Sequence, residues 1–166
     1  MSTNGIKTSF WGPHAWAFLF SSIAGGYPIR VDKSNKEHLK TVKSFQTMMK
    51  SLEFTLPCIY CRQSYGQFIK EVPLSKYEHS RNSMMKWLYL IHDLVNKKLI
   101  KQERECFESE KKKLLASNQS SERIKAQLEK LKQCTLKTKP SPPFERVVAL
   151  YEKQRAGCNK KTKRCL

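Results

Sequence analysis

Apolar residues recur along this chain every three or four positions. Leu39, Val42, Phe45, Met49 and Leu52 form one such stripe, and Met84, Leu88, Ile91 and Val95 form another. That spacing is the period of a helix with one buried face; a strand would alternate. It predicts helices over residues 12–24, 33–52, 58–70 and 81–99. Pro13 falls in the first turn of the first, where a missing N–H costs nothing. Gly25, Gly26, Tyr27 and Pro28 stop that helix, Pro57 opens the third and Pro73 closes it. Gly and Pro gather at these few boundaries and do not punctuate the chain at short regular intervals as in a β-sandwich. The expected fold is all-α, a four-helix bundle with additional C-terminal helices.

After Cys106 the pattern thins. Residues 108–133 are rich in Glu, Lys, Gln and Leu, with Leu114, Ile124, Leu128 and Leu131 as apolar anchors and a polar stretch from Ser117 to Ser121. This reads as a weakly amphipathic surface helix or helical hairpin. Pro140, Ser141, Pro142 and Pro143 make a linker, and a short helix over residues 144–155 would bury Val147, Val148 and Tyr151. The implied organisation is a helical bundle over residues 1–107, a charged insertion and linker over 108–143, and a short helix with a basic, cysteine-bearing tail over 144–166.

The chain of 166 residues carries 32 Lys and Arg against 14 Asp and Glu, a formal charge of +18. From Cys106 onward there are 16 basic and 6 acidic residues, whereas the preceding 105 residues hold 16 and 8. Such a charge attracts polyanions, so nucleic acid is a conceivable partner, although no zinc-finger spacing or RNA-recognition motif accompanies it. A solvated lysine-rich surface is the simpler reading. No apolar run reaches the ~18 residues of a membrane span. No apolar signal segment is present, which leads to the expectation of a cytoplasmic protein.

Cys58-Ile59-Tyr60-Cys61 is the sharpest local feature. Two cysteines so spaced at a helix start can close a disulfide with little backbone movement. The helix N-terminus and Arg62 both favour thiolate, the reactive form. Half of a zinc site is the alternative, to which His79 and His92 could contribute, but no second CxxC exists; no metal is expected. A thioredoxin-like motif would need βαβ context, which the chain lacks. Further along, His92 and Asn96 share a helix face beside the apolar stripe with Met85 and Tyr89. Such an edge suits side chains that hold a flat, partly polar ligand against an apolar wall.

Taken together these residues resemble the Erv/ALR family of FAD-linked sulfhydryl oxidases. The stretch Trp11-Gly12-Pro13-His14-Ala15-Trp16-Ala17-Phe18-Leu19 is similar to the family's opening Trp-x-x-Leu-His helix. Pro57-Cys58-Ile59-Tyr60-Cys61 resembles its Pro-Cys-x-x-Cys. His92-Asp93-Leu94-Val95-Asn96-Lys97-Lys98-Leu99 resembles its flavin-binding His-Asn-x-Val-Asn-x-x-Leu. Cys106 follows where the family often carries the first cysteine of a structural disulfide. The Trp-Gly-Pro-x-x-Trp opening looks most like the short forms of large DNA viruses, which would place the protein in host cytoplasm or virion, as a late protein. Phe20 stands where the family usually has His, and Asp93 where it usually has Asn. Phe20 can stack but not donate a hydrogen bond. Asp93 adds negative charge near the flavin, which Lys98 or Lys101 would compensate.

The resemblance implies an enzyme that forms disulfides in protein thiols and passes the electrons through FAD to dioxygen, yielding hydrogen peroxide. It implies Cys58 and Cys61 as the catalytic pair, with Gly12, Trp16, Phe20, His92, Asp93 and Asn96 around FAD and Lys98 and Lys101 near its phosphates. Protein dithiols or a thioredoxin-like relay would be the reductants, and a homodimer through the first two helices is expected. By the same analogy Cys106 would pair with Cys158 or Cys134. Cys158 and Cys165, among Lys160, Lys161, Lys163 and Arg164, could instead form a shuttle pair. The competing reading is a basic helical nucleic-acid-binding or virion structural protein with a non-catalytic CxxC.

Overall fold

The structure is a computed structural model, and it describes residues 5–117, 119–154, 156, 158–159 and 164–165, the last four by their backbone. Among these residues there are six α-helices: α1 (Thr8–Gly26), α2 (Lys36–Thr55), α3 (Ile59–Glu71), α4 (Arg81–Leu115), α5 (Ser121–Thr135) and α6 (Phe144–Lys153). A single 3-10 turn, Leu74–Lys76, precedes α4. Two-residue strands β1 (Cys158–Asn159) and β2 (Arg164–Cys165) pair antiparallel, with Cys158 opposite Cys165. The all-α expectation holds. Among the described residues no helix is long and apolar enough to cross a membrane.

Local chemistry explains where the helices begin and end. α1 starts a turn earlier than predicted, so Pro13 lies inside it. Its absent N–H leaves the exposed Ser9 carbonyl to solvent, which limits the cost. α2 starts three residues later than predicted. Asp32 Oδ1 first accepts from the Ser34 N–H at 2.8 Å and its hydroxyl at 2.7 Å, and Asn35 then caps the helix by accepting from Glu37 N and His38 N. Leu56, before Pro57, is extended, as the proline ring demands, and that ends α2. α4 runs sixteen residues beyond its predicted end. The stretch after Leu99 holds strong helix formers and no Gly or Pro, and Lys101–Glu105, Lys111–Glu108 and Lys113–Glu110 pair along it.

The described residues fall into two compact units. The first comprises the chain up to Ile91 together with the residues from Pro142 onward. Its core joins Leu19, Phe20, Ile23 and Tyr27 of the α1 region, Met49 of α2, Tyr65 of α3, and Met84, Trp87, Leu88 and Ile91 of α4. Buried polar atoms there are satisfied: Tyr65 donates to Met49 O at 2.8 Å and Trp87 Nε1 to Val72 O at 2.8 Å. Leu39, predicted for the α2 stripe, is 45% exposed, because the stripe turns inward only from Val42. The loop after α1 is stitched to the segment before α4. Tyr27 donates its hydroxyl to Glu78 O at 2.7 Å, Arg81 donates through Nε to Tyr27 O at 2.7 Å, and Val31 N reaches His79 O at 3.0 Å. Burial, with the Glu78 carboxylate as a lesser cause, pushes the Tyr27 hydroxyl up to about 12.

The second unit, His92–Ser141, holds the remainder of α4, α5 and the segment after it. Glu103 clips that segment down by accepting from Lys137 N at 3.0 Å, Thr138 N at 2.8 Å and Thr138 Oγ1 at 2.6 Å. Burial alone would raise its carboxyl, but these bonds hold it below the ordinary value. Cys106 and Cys134 both lie in this unit as exposed thiols not linked to one another.

Candidate active site

Cys58 is the N-cap of α3, extended at φ −134° and ψ 125°, and its Sγ accepts from the Cys61 N–H at 3.4 Å. Its carbonyl accepts from Cys61 N at 3.1 Å and Arg62 N at 3.0 Å, which starts the helix. Both cysteines are half-buried. The positive end of the α3 dipole lies beside Cys58 and favours negative charge on its sulfur. Arg62 Nη1 donates to Phe54 O at 3.2 Å, at the C-terminal end of α2. Ile59 and Tyr60, between the cysteines, are exposed.

A contact invisible to periodicity supports this turn from the N-terminal side. Gly5 forms an antiparallel bridge with Cys58, and Ile6 N donates to Pro57 O at 2.9 Å. Trp11 Nε1 in turn donates to Ile6 O at 3.2 Å. The only sequence signal is a glycine just before the first helix.

In the same unit Trp16 and Phe20, one turn apart on α1, hold their rings 6.5 Å apart at 42°. Phe20 is buried, and Tyr151 of α6 stacks on it at 5.3 Å. Tyr89 of α4 donates to Pro142 O at 2.9 Å and packs on Phe144. Gly12, also on α1, is half-buried, with open space where a Cβ would stand.

The second unit carries the other predicted contacts. His92 is half-buried, and burial pushes its imidazole below the usual 6.5, opposed by the Asp93 carboxylate. Asp93 pairs with Lys97 at 2.8 Å, four residues on. Burial raises its carboxyl, but bonds from Lys97 and Ser141 bring it below the ordinary value. Lys97, four residues on, is thus the lysine that pairs with this carboxylate. Asn96 donates through Nδ2 to Ser141 Oγ at 2.9 Å. Lys98 is half-buried, whereas Lys101 is exposed and reaches Glu105 at 3.8 Å. Of the tail, only backbone lies within the described residues. Lys160, Lys161, Lys163 and the side chains of Cys158, Cys165 and Arg164 lie outside them.

Each unit carries groups of a kind that FAD uses: the first has the half-buried Trp16 ring, and the second has a half-buried histidine, the Asn96 amide, the Asp93–Lys97 pair and further cations at Lys98 and Lys101. A flavin needs apolar stacking and a few directed hydrogen bonds, and its diphosphate needs cations.

Comparison with the curated proteins gives no match. Comparison with family descriptions matches the Erv1 / Alr family over residues 13–114, more than half of the chain and the whole span from Trp16 through Cys58 and Cys61 to Asn96. With an all-helical fold and a helix-capping Cys-x-x-Cys in place, the chain belongs to the Erv1/Alr family of FAD-dependent sulfhydryl oxidases.

Proposed function

We propose that Cys58 and Cys61 are the residues through which this oxidase works, with Cys58 the sulfur attacked by substrate. A substrate thiolate attacks Cys58 Sγ, forming a mixed disulfide and breaking the Cys58–Cys61 bond, and Cys61 leaves as thiolate. The second substrate thiolate then attacks the substrate sulfur of the mixed disulfide and expels Cys58 as thiolate. Substrate is oxidised to its disulfide, and the enzyme pair holds the two electrons. Bound FAD supplies the two-electron acceptor and its reoxidation by dioxygen. Gly12, Trp16 and Phe20 would bind its apolar part. His92 and Asn96 would orient it, Asp93 and Lys97 would present a neutral pair, and Lys98 and Lys101 would meet its phosphates.

The observation that carries this assignment is the N-cap geometry of Cys58, which gives the sulfur a helix dipole and the Cys61 N–H. Protein dithiols or a thioredoxin-like relay are the proposed reductants, and the register of Cys158 opposite Cys165 supports a tail that shuttles thiols to Cys58. Exposed Phe18 on α1 and Leu39 on α2 support a homodimer through these helices. The Trp11-Gly12-Pro13 opening supports a short viral form of the family.

Cys58→Ser and Cys61→Ser test the assignment, since a hydroxyl replaces sulfur with little change of volume. Each is expected to retain the helical circular dichroism of the parent and to reduce oxygen consumption with dithiothreitol to background. Full turnover in either variant would refute the role given to that cysteine.

A further inference from the structure

We infer that Gly5 and Ile6 are positioning residues for the redox pair, holding the Pro57–Cys58 peptide in the orientation that presents Cys58 Sγ for attack. The inference rests on the assignment of Cys58 as the attacked sulfur. It is carried by three consecutive contacts: Trp11 Nε1 to Ile6 O at 3.2 Å, Ile6 N to Pro57 O at 2.9 Å, and the antiparallel bridge from Gly5 to Cys58. They form a bracket from α1 to the residue before the first cysteine.

Pro57 O belongs to the same planar unit as Cys58 N. A bond to that oxygen therefore fixes the plane from which the Cys58 φ is measured. Cys58 must stay extended to cap α3, and its Sγ sits only within long reach of Cys61 N–H, at 3.4 Å. A modest rotation of the plane would swing the sulfur off the helix axis. On the proline side the ring fixes φ, so the remaining freedom is the rotation that the Ile6 bond opposes.

Position 5 admits glycine for two separate reasons. Its φ is +98°, in the left-handed region, and a Cβ there would lie 1.8 Å from Pro57 O and 2.7 Å from Pro57 C. Both are backbone atoms of the peptide being held, so no side chain can rotate away to make room. A side chain at this position must push out either the segment or the Pro57 carbonyl. The residues matched to the family begin at 13, so Gly5, Ile6 and Trp11 lie outside that match.

The test uses the full-length FAD-loaded protein with Gly5→Ala, Ile6→Pro and Ile6→Val. Gly5→Ala wedges the contact, Ile6→Pro deletes the N–H, and Ile6→Val keeps it. Near-attack geometry is steeply sensitive to displacement, so kcat/KM with dithiothreitol is expected to fall by about tenfold in the first two. It should stay at the parent value in Ile6→Val. Flavin absorbance and helical circular dichroism should be unchanged in all three. In reduced protein, the pH midpoint for alkylation of Cys58 should move upward in Gly5→Ala and Ile6→Pro, as the sulfur leaves the helix terminus. Unchanged or faster turnover in both, or a fall that tracks lost helicity and flavin, would overturn the positioning role. Trp11→Phe removes only the indole N–H from the bracket and should give a smaller loss of the same kind. Parent-level turnover there, after unfolding of the other two, would also overturn it. A parent protein inert toward dithiothreitol would instead refute the underlying assignment.

Discussion

At the scale of single residues, His92 has the most measurable consequence. Burial depresses its proton affinity in the folded chain, and the Asp93 carboxylate opposes this only in part. A depressed folded value gives stability that is complete above the unfolded value, near 6.5, and is lost as pH falls through the folded one. The melting temperature of the parent should therefore drop as pH falls below about 6.5, and His92→Gln should flatten that drop. An equal drop in both would show that His92 is not the group responsible. Trp16→Ala should lower flavin occupancy and melting temperature together, since a ligand of the folded state stabilises it by mass action. Some of this is legible in the sequence. Cys58, Cys61 and the His92–Asn96 face follow from proline placement and helical spacing. The partner of Asp93 is also legible, because the i,i+4 rule points to Lys97. The bonds from Gly5 and Ile6 to the turn at Cys58, and from Asn96 to Ser141, join residues far apart in the chain, and no local pattern announces such contacts.

At the scale of elements, the ends of helices are harder to read than their faces. The inward stripe of Met84, Leu88 and Ile91 is where periodicity puts it, but α4 outruns its stripe because propensity and ion pairs sustain it without a core. The start of α2 depends on side-chain bonds: those of Asp32 to Ser34 hold a turn in place of helix, and those of Asn35 cap the first helical turn. Asn35→Ala should cost about 1 kcal/mol in a denaturant titration, and Asn35→Asp should restore it, since both caps accept from the free N–H groups. Glu103 plays a comparable part in the second unit. Glu103→Ala removes the acceptor for Lys137 N and Thr138 N, so amide exchange at those two positions should accelerate while α4 stays protected. Unchanged exchange at both would mean that the clip contributes nothing to holding the segment.

At the scale of the whole molecule, family membership explains the chemistry, while α5, α6 and the tail lie outside the matched residues. Deleting residues 157–166 should slow oxidation of a folded protein substrate far more than oxidation of dithiothreitol, which reaches Cys58 unaided. Equal loss for both would point instead to a structural disulfide between the tail and Cys106, worth roughly 2–5 kcal/mol, and peptide mapping of unreduced protein would display it. The stitch between Tyr27, Val31 and the residues before α4 has its own kinetic meaning. It joins chain positions about fifty apart, so closing it costs more chain entropy than forming the contacts within any one helix. The end of α1 and the start of α4 are thereby tied into one unit. Hydrogen exchange at the Val31 and Arg81 amides should accordingly proceed only through global opening of the first unit, making these two loop positions reporters of its total stability.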